Sequence, residues 1–147
     1  MTENAIAGTW RMTSWTTRAT SDGRAITMPL GEAPTGYITY TPEGRMSVTA
    51  MASGRPELGA GILVYERSFS SPELKARALD TYLSYCGAYS LQDNCVTHHI
   101  EVSWWPDLCG TAIPRFFAVE GDRLELSSPP FLQGGVEQRH VLEWQRV

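Results

Sequence analysis

The sequence predicts an all-β domain, an up-and-down antiparallel β-barrel with one α-helix, over residues 1–147. Three observations predict it. Short segments alternate apolar and polar residues, the period of a strand with one buried face. Tight-turn residues separate them at short intervals, as in a chain of hairpins. A single segment carries helical spacing, too little helix to cover a sheet face, and a barrel buries its own inner face.

The elements follow in order. "GTWRMTSWTTRA" (8–19) reads as a first strand with Trp10, Met12 and Ser14 on one face. "GYITYTPEGRMSVTAM" (36–51) reads as two strands around Pro42-Glu43-Gly44. Residues 53–69 read as a loop, broken by Gly54, Pro56, Gly59 and Gly61. "SSPELKARALDTYLSYCG" reads as the helix, with Ser71 as N-cap, Pro72 at the first position and Glu73 at the positive end. Leu74, Ala78, Leu79, Tyr82, Leu83 and Cys86 share one helical face, and Gly87 supplies a left-handed cap. "AYSLQD" and "CVTHHIEVSWW" form a hairpin near Asp93-Asn94. "GTAIPRFFAVEGDRLELSS" forms another at Glu120-Gly121-Asp122, with Pro114 marking an edge or a bulge. "RHVLEWQRV" is the last strand.

Composition narrows the function classes. Hydrophobic residues make up 42% and charged residues 19%, a globular balance. The net charge of −4 and scattered arginines argue against nucleic-acid binding. No apolar run suits a membrane span, and the start lacks the features of a signal peptide, so a cytoplasmic location is expected. The three cysteines, Cys86, Cys95 and Cys109, are expected as free thiols.

An ordered set of motifs resembles a known family. "GTWRMTSW" is similar to the GxW signature that opens lipocalins. "GYITYTPEGRMSV", "HHIEVSWWPDLCGT", Arg115, "GDRLELSSPP" and "LEWQRV" resemble the bacterial and fungal cytoplasmic lipocalin-like domains. The resemblance implies a lipocalin-type barrel, closed at one end, with an internal pocket. It further implies that Trp10 packs at the closed end with Arg146 laid across it. Some related barrels in natural-product pathways act as cyclases or isomerases, so the resemblance alone does not fix a function.

Alternation assigns faces to the candidate site. On 96–104 one face is Val96, His98, Ile100, Val102 and Trp104; the other holds Thr97, His99, Glu101, Ser103 and Trp105. The apolar face belongs inside, so His98 is expected to point in and His99 and Glu101 out. Inward faces elsewhere bring Tyr40 beside Ile38, Arg115 beside Ile113, Phe117 and Val119, and Ser14 beside Met12. Leu124, Leu126, Leu142 and Trp144 supply apolar wall, and the parity of Tyr89 is open. An interior guanidinium needs a partner, and no carboxylate shares its face, so a ligand oxygen could supply it. The alternative turns Arg115 to the surface with Phe116 and Ala118 inside.

Two readings of the function stay open. In the first, the barrel is a cofactor-independent isomerase or cyclase of secondary metabolism, with pericyclic ring closure among its candidate reactions, and the pocket folds the substrate into a reactive shape. Its substrate is an apolar, carbonyl-containing intermediate. Arg115 and Tyr40 polarise the carbonyl and His98 moves a proton. Tyr89, Trp104, Phe117, Ser14, Ile38 and Met12 contact the substrate, and Trp104 and Phe117 offer flat surface for a polycyclic one. In the second, the same pocket is a non-catalytic carrier for a small hydrophobic metabolite. A structural accessory domain is a third reading. No cofactor, metal, nucleic acid or membrane partner is expected, and an edge at Pro114 leaves a homodimer open.

Overall fold

A computed structural model describes residues 3–59 and 70–147. The expected loop at 53–69 lies outside the described residues from position 60 onward. The strands are β1 (Gly8–Ala19), β2 (Ala25–Thr27), β3 (Thr35–Tyr40), β4 (Arg45–Met51), β5 (Tyr82–Gln92), β6 (Cys95–Ser103), β7 (Ala112–Glu120), β8 (Arg123–Ser127), β9 (Phe131–Gln133) and β10 (Val136–Arg146), with one helix, α1 (Pro72–Asp80). Neighbouring strands pair antiparallel in the order β1-β3-β4-β5-β6-β7-β8-β10, and β10 returns to β1. Eight strands thus close a barrel, with β2 and β9 as short additions on β1 and β10.

The interior holds Trp10, Met12, Ile38, Tyr40, Val48, Tyr85, Val96, Ile100, Leu124, Leu126 and Trp144 in one core. One end is shut by Trp10, which is fully buried and donates from Nε1 to the Ile6 carbonyl at 2.9 Å. The Arg146 guanidinium lies 4.0 Å from the Trp10 ring centroid and donates to the carbonyls of Ala7 and Ala5. Arg146→Met keeps the apolar stem but removes the cation–π contact and both bonds. A loss of about 2 kcal/mol is expected, read as a lower urea midpoint at unchanged slope.

Three expectations need correction. The helix is shorter than its spacing suggests. Ser71 caps it, accepting from the Leu74 amide, but it stops at Asp80 and none of its residues is buried. Tyr82–Cys86 belongs to β5, where Leu83 pairs with Ala50 and Tyr85 with Val48. That segment satisfies both periods, and the β4 ladder decides between them. Gly87 is therefore no helix cap: it pairs with Ile100, and a Cβ there would sit 1.9 Å from the His99 carbonyl oxygen.

The second correction is Ser14. A bulge between Met12 and Ser14 shifts the register on β10. Ser14 turns outward to bond Glu143 Oε2 at 2.8 Å, and Trp15 takes the inward position. The third is Val102. The β5–β6 register skips between Cys86 and Gly87, which leaves Glu101 extra and Val102 63% exposed. A bulge exchanges the faces of the strand residues just beyond it, here up to the end of β6 at Ser103. The cysteines are free thiols.

Candidate functional site

The barrel interior keeps a cavity of about 240 Å³ at the end away from Trp10. Met12 and Trp15 from β1, Ile38 from β3, Val48 from β4, and Leu126 and Trp144 from β8 and β10 form much of its wall. Leu83, Trp104, Leu108, Ile113 and Leu142 complete the apolar surface. Four ionisable side chains line it: Tyr85, His98, Arg115 and His140. A larger concavity of about 530 Å³ lies between β3 and β6, but it is an open groove bordered by outward groups such as Tyr37, Thr49 and Val102.

His98 is the inward histidine and is buried, whereas His99 lies exposed and bonds Ser90 Oγ at 2.9 Å. Both ring nitrogens of His98 are engaged. Tyr40 Oη lies 2.7 Å from Nε2 and Tyr85 Oη lies 2.9 Å from Nδ1. Burial, followed by the charges of Arg115 and His99, lowers the His98 pKa to about 3. The ring is therefore neutral at pH 7, with one N–H and one acceptor nitrogen.

Satisfaction fixes the proton order. Tyr40 is fully buried, and His98 is the one partner of its hydroxyl among the described residues. One O–H of the tyrosine pair is left over in either order. With Tyr40 donating to Nε2 it falls to Tyr85, which lines the cavity where a ligand oxygen can accept it; the reverse order strands it on Tyr40, which does not line the cavity. Nδ1–H then donates to Tyr85 Oη. That leaves the Tyr85 proton free, on a side chain that lines the cavity. The Tyr40–His98–Tyr85 chain thus presents a hydrogen-bond donor to the cavity.

Arg115 is the second donor. It is half-buried in the cavity wall, and Nη1 bonds its neighbour's Pro114 carbonyl at 2.9 Å. No carboxylate pairs with it among the described residues. Glu101 is held on the outer wall by Arg45, at 2.8 and 2.6 Å. Burial lowers the Arg115 pKa, while Tyr85 and Tyr40 oppose the shift.

Other expected residues divide cleanly. His98, Arg115, Met12, Ile38 and Trp104 line the cavity; Tyr40 reaches it through His98. Tyr89 is buried, but its hydroxyl donates to the Thr41 carbonyl at 2.6 Å and accepts from Asn4, so it secures the chain away from the cavity. Phe117 packs against the core without lining the cavity, and Ser14 faces outward. An apolar cavity of roughly 150 Å³ takes up benzene. At about 240 Å³ this one suits a single substituted ring, not the polycyclic ligand suggested by Trp104 and Phe117.

Sequence reasoning missed Tyr85 and His140. Tyr85 was hidden by the helical spacing. His140 shares the parity of Leu142 and Trp144, and that signal could have found it. Its Nδ1 accepts from Trp15 Nε1 at 3.1 Å, and burial, then Arg115, lowers its pKa to about 4.

The family described as "Lipocalin-like domain" matches residues 7–147. The chain belongs to this family. Its closed β-barrel and Trp10–Arg146 stack are the fold that the motifs implied. This lipocalin-like chain is also similar to the 4'-hydroxy-3'-methoxypropiophenone carrier protein ppsC of Aspergillus oryzae (strain ATCC 42149 / RIB 40). The two are 32% identical over 111 residues, which cover 69% of this chain and 96% of that protein. No helix among the described residues is long and apolar enough to cross a membrane.

Proposed function

We propose that this lipocalin-like barrel is a non-catalytic carrier for a small, mostly apolar molecule with one oxygenated aromatic ring. The observation that carries the reading is the cavity inside the barrel: its wall is mainly apolar, with a few convergent donors. The carrier named for an aryl ketone, similar over most of its length, supports the same class of cargo.

The isomerase or cyclase reading asked His98 to move a proton. Two features weigh against that role. A ring with a pKa of about 3 is a poor base at neutral pH, and both of its nitrogens already serve tyrosines. His98 instead orients the Tyr85 hydroxyl.

Calorimetric titration with 4'-hydroxy-3'-methoxypropiophenone is expected to show one site, with the compound recovered unchanged. Ile113→Trp fills the cavity and is expected to weaken binding on the order of tenfold or more. Conversion of the compound to an isomer or ring-closed product would return the protein to the enzyme reading. Unaltered affinity in the filled variant would move the site elsewhere.

A further inference from the structure

We propose that the cavity takes its ligand as an anion, an acidic phenol or a carboxylic acid in deprotonated form, with the charged oxygen held by Arg115 and the Tyr85 hydroxyl. The proposal rests on the carrier reading and narrows its cargo.

The argument is one of charge balance. Groups face Arg115 from every side of the cavity. Tyr40 comes from β3, Tyr85 from β5, His98 from β6 and His140 from β10. From β1, β4 and β8 the lining is Met12, Trp15, Val48 and Leu126, none of them ionisable. Nearby carboxylates serve the outer wall. Glu101 holds Arg45, Glu143 accepts from Ser14, and Glu125 is exposed on β8.

The two histidines add no charge at pH 7, because burial and Arg115 both disfavour their protonation. Burial likewise holds Tyr40 and Tyr85 protonated. The described lining therefore carries one positive charge with no counter-charge. A half-buried cation of this kind gains most from an ionised partner. Tyr85 supplies a neutral donor to the same end of the ligand, so the polar pair offers donors to an acceptor oxygen. Uptake of the acid form would release its proton to solvent and leave the anion bound.

The test uses the full chain and three probes: 4'-hydroxy-3'-methoxypropiophenone, its 4'-O-methyl ether, and 4-methoxybenzoate. Binding is measured from pH 6 to 9, and the absorption band reports whether bound phenol is ionised. The phenol is expected to bind as phenolate, its apparent pKa lowered by about one unit or more beside the cation. Arg115→Met should weaken phenol and benzoate roughly tenfold at neutral pH and leave the ether nearly unchanged. Arg115→Lys retains the charge and should retain the ionisation, which separates an electrostatic role from a structural one.

A carboxylate preference with the same Arg115 dependence supports the anion and assigns it to acids rather than phenols. Equal, pH-independent binding of phenol and ether overturns the proposal while the carrier reading stands. Binding by none of the three probes overturns both.

Discussion

Acid should destabilise this barrel before its carboxylates titrate. His98 has a folded-state pKa of about 3 against 6.5 in the unfolded chain. A depressed folded pKa means that the unfolded state binds the proton first. The stabilisation from the neutral ring is complete above pH 6.5 and is lost as the pH falls from there toward 3. Each unit corresponds to about 1.4 kcal/mol, so a loss of about 2 kcal/mol is expected between pH 6.5 and 5. His140, lowered to about 4, acts in the same direction but is half-buried and contributes less. Urea unfolding at pH 7, 6 and 5 measures the slope. His98→Leu should be less stable at pH 7, because both tyrosine hydroxyls lose their partner, yet flatter across this range. A wild-type midpoint that does not move between pH 6.5 and 5 would show that the ring is not held neutral.

The second large effect is expected at Gly87. The β5–β6 pair comes so close there that an added Cβ would meet the His99 carbonyl oxygen at 1.9 Å and its carbon at 2.9 Å. Both are backbone atoms that cannot swing aside. Gly87→Ala must separate the strands or slip their register, at a cost on the order of 4 kcal/mol. Gly110→Ala is the control. It has φ +81° but open space, so it meets only the left-handed backbone penalty of about 1 kcal/mol. The contrast is read from urea midpoints of the two variants. Equal losses would mean that the strands part freely at Gly87. The same substitution also probes the site, since the register at Gly87 positions His98 against Tyr85.

Much of this architecture is legible in the sequence where alternation runs unbroken. Val96, His98 and Ile100 face inward as their parity requires, and Ile113, Arg115, Phe117 and Val119 are each more buried than their neighbours. The errors at Ser14 and Val102 share one cause. Each lies beyond a bulge, and a bulge is a property of two strands that neither announces alone. Gly87 is a partial sign of the second bulge, but it was read as the end of a helix. The Tyr82–Cys86 segment failed for a related reason: its apolar residues fit a helix locally, and only the distant β4 edge selects the strand. The site suffered most from this, since Tyr85, which lines the cavity and bonds His98, lies in that segment.

The junction of β1 with β10 also bears on synthesis. Trp10 pairs with Arg146, and the Val147 amide reaches the Thr9 carbonyl at 3.0 Å. A nascent chain that has emerged only through β8 has two unsatisfied edges, on β1 and β8, and cannot complete its ring. Closure must await the final segment, so ribosome stalling before position 136 should yield an assembly-prone intermediate that chaperones retain.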